Sequence, residues 1–354
     1  MIAIRSCHDA AEWDALLERV PWAFPQQAFG FGRALAGCFG YLRPDYRVLE
    51  SHGRVVAGLP LVRFAPGGPF RAIHSLSFDI TAGPLVDPER VEDHDLLQAL
   101  AAEVDDAAAR ERAFEARVSV PATAPAPLHR FLSGDGSQSE THPCPVIDLA
   151  RPLAQVERGY DPAVRRALRR ADREGLIVEV GAALTDVLHA YPFYAARMQE
   201  IGSVVKPWRF IEALVAERIG VPVVARMGGR PVGFLILLVA PGVAVFWISG
   251  CDPGLSRARP MNAMLGAAVR WAHARGVRRF SLGESHGRPG LVRFKQGWGP
   301  AGCHNTVMVR VYRPAIARLW SALEPTARRV YAAWDIIAGD ARARWARAGG
   351  DAGR

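Results

Sequence analysis

The chain has 354 residues, of which 50% are hydrophobic and 22% charged, a composition that fits a folded globular protein and excludes a disordered or collagen-like chain. The formal charge of +9 rests on arginine, because only Lys206 and Lys295 among the 44 basic residues are lysines. This charge favours an anionic partner such as a phosphate-bearing molecule, RNA or a membrane surface. At about 150 residues per domain, the length predicts two domains.

The five cysteines are scattered and odd in number, and they include no C-x-x-C pair. This pattern favours neither a disulfide framework nor a zinc site, so we expect a reducing compartment and no metal. The first residues include charges where a signal peptide needs an apolar stretch. The longest strongly apolar run, 232–240, is far shorter than the roughly 20 residues of a membrane-spanning helix. Together these features predict a cytoplasmic protein.

Apolar spacing predicts alternating helices and strands in the first half of the chain. The predicted elements are helices 10–20 and 27–39, strands 46–51 and 54–64, a strand 72–78, a helix 91–113 and a strand 114–120. The segment 121–145 is dense in Pro, Ser and Gly, and we interpret it as a loop or linker.

The same kinds of element start again after this segment. They are a strand 146–149, a helix 162–174, a strand 176–180, helices 184–199 and 207–219, strands 221–227, 230–239 and 243–250, a helix 260–275 and a strand 278–283. The alternation predicts a mixed α/β (α+β) fold. Both halves contain a hairpin with a Gly-Arg turn, at Gly53-Arg54 and Gly229-Arg230, an offset of 176 residues in the sequence numbering. This offset favours duplication of one α/β unit, although unrelated hairpins also converge on such turns.

A glycine-rich segment, 283–287, follows the last predicted strand and satisfies the G-x-S-x-G pattern of a serine hydrolase. In such an enzyme Ser285 would be the nucleophile, and a helix would have to follow at once. The next residues, Gly-Arg-Pro-Gly-Leu, are not expected to begin a helix. We therefore interpret the segment as a loop at a strand end, where α/β folds commonly bind ligands, and keep the hydrolase as an alternative.

This loop leads to Lys295. A lysine ammonium is compact, and it suits a phosphate, a carboxylate or the charge of a tetrahedral intermediate. The alternative is an ordinary surface lysine. Because the chain uses arginine almost everywhere else, the retained lysine is a candidate site residue.

Two basic segments are candidate binding surfaces. The helix 162–174 places five arginines on one broad face, Arg165, Arg166, Arg169, Arg170 and Arg173. This face either binds phosphates or RNA, or is simply solvated. The tail 313–354 is basic and carries Trp320, Trp334 and Trp345, so it packs on the body, lies on a membrane or binds RNA.

Four segments of the second half share a family pattern, and they follow one another in the family's order. They are RRALRRADREGLIVEV (165–180), FYAARMQEIGSVVKPWRFIEAL (193–214), RPMNAMLGAAVRWAHARGVRRFSLGES (259–285) and GLVRFKQGWG (290–299). This half resembles the GNAT-like acyltransferase domain of FemAB-related proteins. That group includes aminoacyl-tRNA-dependent peptidyltransferases of cell-wall synthesis and relatives linked to exopolysaccharide loci. In the first half, GPLVD (83–87) resembles the family's G-P-x-x-D segment.

The resemblance implies two tandem GNAT-like domains, 1–145 and 146–312, followed by the basic helical tail 313–354. It implies transfer of an acyl or aminoacyl group to an amine of a cell-envelope, amino-sugar or polysaccharide-linked acceptor. The donor is acyl-CoA or aminoacyl-tRNA. Neither the usual pyrophosphate loop nor a long coiled-coil arm is present, so the sequence does not decide between them. The expected partners are small-molecule or glycan-linked acceptors, tRNA, and a membrane surface that the tail contacts. DNA is not an expected partner.

The resemblance also places Lys295, with Arg166, Arg169 or Arg170, near a phosphate or the reacting centre. An attacking amine needs a proton acceptor, and the candidate bases are Asp87, Asp252 and Glu284; deprotonation assisted by the substrate is the alternative. The other residues assigned to substrate binding are Lys206, Asn262, Ser285, Arg293, Phe294 and Trp298. A second hypothesis is a non-catalytic GNAT-like module that recruits RNA or membrane through its arginine faces.

Overall fold

The computed structural model describes residues 2–75, 83–134, 136–285, 287–324 and 326. In chain order its strands are β1 (Ile2–Ser6), β2 (Leu42–Ser51), β3 (Arg54–Gly67), β4 (Phe70–His74), β5 (Leu85–Val86), β6 (Glu115–Val120), β7 (Ser137–Pro143), β8 (Val146–Asp148), β9 (Ile177–Val180), β10 (Gly220–Met227), β11 (Arg230–Ala240), β12 (Val243–Cys251), β13 (Arg279–Ser281) and β14 (His304–Val311). Its α-helices are α1 (Ala10–Arg19), α2 (Phe29–Cys38), α3 (His94–Glu111), α4 (Leu153–Arg158), α5 (Pro162–Arg173), α6 (Leu184–Glu200), α7 (Trp208–Ala216), α8 (Pro260–Ala274) and α9 (Pro289–Gln296).

The strands form two mixed sheets, each built around the same five-strand unit. The first sheet has the order β1-β2-β3-β4-β6-β14-β7, with β5 paired to β3, and the second has the order β8-β13-β12-β11-β10-β9. In each unit three antiparallel pairings precede one parallel pairing, β4 with β6 or β12 with β13. Each unit also has two helices after its first strand and one helix before its last. The expected mixed α/β fold and its internal duplication are confirmed.

The Gly-Arg turns lie at equivalent places in the two units. His52 and Gly53 have φ values of 52° and 73°, and Gly228 and Gly229 have values of 55° and 80°. Two successive residues with positive φ are typical of a type I′ turn, whose twist suits a two-residue hairpin. Glycine adopts this backbone at little steric cost, so the repeated turn in the sequence marks a duplicated hairpin.

The two sheets exchange a strand. β14 follows α9 and pairs with β6 and β7 of the first sheet, whereas β8 follows β7 and pairs with β13 of the second. At the crossing, the N–H of Leu282 donates to the carbonyl of Pro145 (2.9 Å). Each sheet is thus completed by a strand that follows the other sheet in the chain. The domain boundaries at 145/146 and 312/313 remain a prediction.

Buried side chains form two hydrophobic clusters. One joins the first unit to α6, α7 and one face of the second sheet, and the other lies under α5 and α8 on the opposite face. At the junction of the units, Arg279 of β13 donates to Thr123 Oγ1 (2.7 Å) and to the Ala23 carbonyl (3.2 Å). Burial lowers the pKa of Arg279 to about 10. The first unit therefore packs directly on the second.

Each parallel pairing is only three residues long, and the two strands then separate. In the first unit the returning chain fills this space, because a Cβ on Gly83 would lie 2.3 Å from the Ser119 carbonyl oxygen and β5 adds to β3. In the second unit β12 and β13 separate after Val245 and Ser281, and no strand within the described ranges enters between them. We name this opening, between residues 246–251 and the loop after β13, the β12–β13 gap.

Two segments differ from their sequence-based interpretation. The predicted linker 121–145 contains β7, which is polar on both faces and only partly buried, so it lacks the apolar alternation of a typical strand. α9 begins at Pro289, where the sequence predicts no helix start. Proline fits this first helical position because an N–H there has no intrahelical partner in any case. The strand β14 is also absent from the sequence-based prediction.

The tail begins as a helix that packs on the first unit. The ring of Trp320 lies 5.3 Å from that of Phe64 and 5.1 Å from that of Phe70, measured between centroids. The described part of the tail thus packs on the body, and Trp334 and Trp345 lie outside the described residues. Among the helices that the structure describes, none combines the length and apolar content needed to cross a membrane.

Candidate active site

The loop after β13 touches β12 where the two strands separate. Gly283 in this loop has φ +68°, and a Cβ there would lie 3.2 Å from the carbonyl oxygen of Phe246. The N–H of Gly283 donates to Ser281 Oγ (3.2 Å). Positive φ and close approach to a neighbouring backbone both favour glycine. The segment is a loop at a strand end, as the sequence predicts.

Lys295 lies beneath this loop with only 3% of its surface exposed. Its Nζ donates to the carbonyl oxygens of Gly283 (2.9 Å) and Glu284 (2.7 Å), and it lies 6.0 Å from the ring centroid of Phe246. A buried ammonium needs such acceptors to offset its lost hydration. The lysine singled out by its rarity therefore holds the backbone of the candidate base, a different arrangement from an ammonium that faces solvent.

Glu284 is fixed by its side chain as well. Nδ1 of His142, in β7, donates to Glu284 Oε1 at 2.9 Å, and the glutamate side chain is 12% exposed. Nε2 of the same imidazole lies 3.5 Å from Glu140 Oε2. Residues from both sheets thus meet at this acid, since β7 belongs to the first sheet and Glu284 follows the last strand of the second unit.

Sequence reasoning missed His142 as a functional residue. It lies in the segment interpreted as a loop or linker, 142 positions before Glu284. The segment SQSETHP is polar throughout, so no alternation of apolar residues marked it as a strand or pointed to His142.

The open edge of β12 adds backbone hydrogen-bonding groups to the site. β12 continues through residues 246–251 beyond its last pairing with β13, at Val245 with Ser281. On its other side it pairs with β11 on both sides of a register shift at Trp247, so it is held in place. A fixed strand edge with N–H and C=O groups facing an opening is able to bind the amide groups of an extended ligand.

The other two candidate bases have local partners. Asp87 is buried and pairs with Arg54 (2.6 Å) and Arg19 (3.8 Å) in the first unit. Asp252 accepts a hydrogen bond from the N–H of Gly254 (2.9 Å) and so caps the turn after β12. These contacts of Asp87 and Asp252 include neither Lys295 nor Glu284.

The arginine face of α5 divides into engaged and exposed side chains. Arg165 donates to the Tyr160 carbonyl (2.6 Å), and Arg170 pairs with Glu174 (3.3 Å). Arg166 and Arg169 are exposed and have no ion pair among the described residues. These two arginines are therefore available to an anionic ligand.

Four predicted binding residues lie near Lys295 in sequence. Trp298 is fully buried, and its ring packs against Tyr160 (5.0 Å between centroids) and Phe294 (6.3 Å). Ser285 is buried, and Arg293 is exposed on α9. Trp298 thus anchors the end of α9 in the core, while Arg293 faces solvent.

Asn262 and Lys206 lie elsewhere in the second unit. Asn262 is half-buried in the first turn of α8. Lys206 precedes α7, where its carbonyl accepts from Tyr191 Oη (2.8 Å) and its N–H donates to Tyr194 Oη (3.0 Å). Because α6 and α7 cover the sheet face opposite α8, these two residues are not brought together. Within the described ranges no group of three or more His, Cys, Asp or Glu side chains is placed to hold a metal ion.

The part of the chain that carries the candidate site is similar to a known domain family. Residues 162–296, from α5 to α9, match the model of the acetyltransferase (GNAT) domain. The second unit thus matches a GNAT domain from α5 to α9, and the resemblance found in the sequence is confirmed. A comparison with curated proteins gave no match.

Three solved structures share the fold over most of this chain. The crystal structure of FemX has 11% identity and a TM-score of 0.71, covering 89% of this chain and 99% of its own. The C-terminal domain of a putative lysylphosphatidylglycerol synthetase from Agrobacterium fabrum has 15% identity and a TM-score of 0.60, covering 89% and 96%. A tandem GNAT protein from the clavulanic acid biosynthesis pathway has 17% identity and a TM-score of 0.54, covering 87% and 98%. The chain thus has a tandem GNAT fold, and the matched domain supports an enzyme of the N-acyltransferase type.

Proposed function

We propose that the protein transfers an activated acyl or aminoacyl group to an amine of a cell-envelope, amino-sugar or polysaccharide-linked acceptor in the cytoplasm. The observation that carries the proposal is the position of Glu284. This acid lies beside the β12–β13 gap of a GNAT domain, with its backbone held by Lys295 and its carboxylate by His142. A carboxylate fixed in this way suits a general base, which must come within hydrogen-bond reach of the proton that it removes.

The donor lies in the β12–β13 gap. The corresponding space in the first unit is filled by the chain itself around Gly83, whereas the edge of β12 beyond Val245 has no strand partner in the described residues. Backbone N–H groups on a rigid strand need no reorganisation when charge develops on a carbonyl oxygen. An N–H of this edge therefore stabilises the oxyanion, while the neighbouring groups bind the amides of the donor.

The reaction forms one C–N bond and breaks one C–S or C–O bond. Glu284 takes a proton from the acceptor amine, and the nitrogen attacks the donor carbonyl carbon. The tetrahedral intermediate then collapses and expels a thiolate from acyl-CoA, or the ribose oxygen from aminoacyl-tRNA. The leaving group receives the proton. Arg166 and Arg169, which are exposed on α5, bind phosphates of the substrate.

The test uses purified full-length protein and separate donor arms. Acetyl-CoA, a longer acyl-CoA and an aminoacyl-tRNA are each incubated with an amino sugar or a lysine-containing peptide, and mass spectrometry detects the acylated amine. We expect one donor class to give product and Glu284→Gln to lower its rate by about 10²-fold. If no donor gives product and none binds in calorimetry, the proposal is wrong.

A second candidate is a non-catalytic module that binds RNA through α5, favoured by the exposure of Arg166 and Arg169. In that case RNA binding falls steeply with salt, and an Arg166→Ser/Arg169→Ser variant reduces the salt slope. Binding that survives Glu284→Gln, together with no acyl transfer from any donor, favours the module over the enzyme.

A further inference from the structure

His142 reaches the candidate base of the second unit from the first sheet. It lies on β7, where its position faces Asn305 of β14. Its Nδ1 lies 2.9 Å from Oε1 of Glu284, and because an ionised carboxylate only accepts hydrogen bonds, the ring nitrogen is the donor. The two side chains are 28% and 12% exposed, so the contact is largely shielded from water. Shielding strengthens such a bond relative to one on the open surface.

The imidazole is held from its other side too. Its Nε2 lies 3.5 Å from Oε2 of Glu140, two residues earlier on the same face of β7. Arg117 on β6 donates to that same oxygen of Glu140 (2.9 Å). A histidine whose two ring nitrogens both face carboxylates has a defined ring orientation. Arg117 offsets the charge that Glu140 would otherwise bring near Glu284.

We infer that His142 is a positioning residue for Glu284, and that the active site is therefore assembled from elements of both sheets. The inference rests on the proposed function, because positioning matters only if Glu284 acts as the base. Lys295 fixes where the backbone of the acid lies, and His142 fixes where its carboxylate points. The two restraints come from different parts of the fold, since Lys295 lies on α9, which follows the second sheet's β13, and His142 lies on β7 of the first sheet.

This arrangement gives a function to the strand exchange. Among the strands that the structure describes, β7 pairs only with β14, which follows α9. The strand that carries His142 is therefore aligned by a strand that leaves the second unit directly after the candidate active site. A carboxylate displaced by about 1 Å from a productive position loses about 10²-fold in rate, so this alignment bears directly on turnover.

The experiment compares three substitutions in the full chain. His142→Ala removes the contact, His142→Asn restores an N–H donor near the place of Nδ1, and His304→Ala removes an exposed histidine from the neighbouring position of β14. Each variant is assayed with the donor and acceptor that the wild type uses, and each is also made in a Glu284→Gln background. Thermal unfolding of every variant reports whether the fold is intact.

We expect His142→Ala to lower kcat by about 10²-fold and to change the donor KM by less than about twofold. His142→Asn recovers most of the rate, and His304→Ala retains wild-type kinetics. In the Glu284→Gln background, His142→Ala has no further effect, because the carboxylate that it positions is already gone. If His142 had only a structural role, His142→Ala would lower the melting temperature, and its effect on kcat would multiply with that of Glu284→Gln.

The inference is overturned if His142→Ala keeps wild-type kcat, or if its effect and that of Glu284→Gln multiply. Crystal structures of wild type and His142→Ala provide a readout that does not depend on turnover. If no donor supports activity, the proposed function fails, but the crystal structures still show whether the Glu284 carboxylate needs His142 to keep its position. A Glu284 carboxylate that keeps its place without His142 contradicts positioning, and one that rotates away supports it.

Discussion

The ammonium of Lys295 donates a 2.7 Å hydrogen bond to the carbonyl oxygen of Glu284, so a buried cation on α9 fixes the backbone of the candidate base. The same ammonium also bonds the preceding carbonyl, that of Gly283. A lysine ammonium has three donors and no acceptor, which suits it to two converging carbonyl oxygens. Lys295 therefore links the stability of the loop to the chemistry that we propose for it.

Lys295→Met should lower the free energy of unfolding by about 2 kcal/mol, because two partly buried carbonyl oxygens lose their donor while the length of the side chain is kept. Chemical denaturation followed by fluorescence measures this change. The matched control is Lys206→Met, which replaces the other lysine of the chain at a half-buried site and should change stability by less than about 0.5 kcal/mol. Equal losses of stability at the two positions would contradict a stabilising role for the hydrogen bonds from Lys295 to the loop.

A comparison of Gly283→Ala with Gly287→Ala separates the free-energy cost of the backbone conformation from the cost of a steric contact. Both glycines have φ +68°, so each substitution costs about 1 kcal/mol for the left-handed backbone. A Cβ at Gly283 also meets the Phe246 carbonyl oxygen at 3.2 Å, whereas one at Gly287 meets nothing within 4 Å. We expect Gly283→Ala to be the more destabilising of the two in denaturant titrations. A larger loss at Gly287 would argue against the packing of this loop on β12.

His74, at the end of β4, should make stability fall in mild acid. Burial lowers its pKa to about 4 from 6.5, and it stacks on Phe64. Between these pH values the unfolded chain binds a proton that the folded chain does not, so the free energy of unfolding decreases as pH drops from 6.5 to 4. The full loss is about 3 kcal/mol. His74→Gln should flatten this part of the pH profile, and identical profiles would refute the assignment.

Trp320 should stabilise the first unit through its contacts with Phe64 and Phe70. Replacing this half-buried indole by alanine removes those contacts, and we expect a loss of about 2 kcal/mol in the free energy of unfolding. The neighbouring Leu319 is 51% exposed, so Leu319→Ala should cost less than about 0.5 kcal/mol. Thermal or chemical unfolding of the two variants checks the difference; a tail that does not pack would give equal, small effects.

The sequence was sufficient for those parts of the fold that depend on local patterns. Apolar spacing predicted most of the helices and strands in order, and the repeated Gly-Arg dipeptides marked the two equivalent hairpins. It did not predict the exchange of β8 and β14, because that pairing joins segments far apart in the chain. β7 was missed for a related reason, since its polar faces give no local sign of the strand that it pairs with.

The sequence pointed to two residues of the candidate site but not to their arrangement. The rarity of lysine led to Lys295, and the loop position led to Glu284. The direction of the ammonium depends on α9, which begins at a proline in a segment where no helix was expected. The contact of His142 with Glu284 could not be predicted from the sequence, because it depends on how the two sheets meet at one loop.

The most direct test of the account is the kcat of Glu284→Gln for acyl transfer, measured with the donor and acceptor that the wild type uses. Glutamine keeps the size of the side chain but cannot take a proton from the amine. The account predicts a fall in kcat of about 10²-fold or more, with a donor KM changed by less than about twofold. Wild-type kcat in this variant would contradict it.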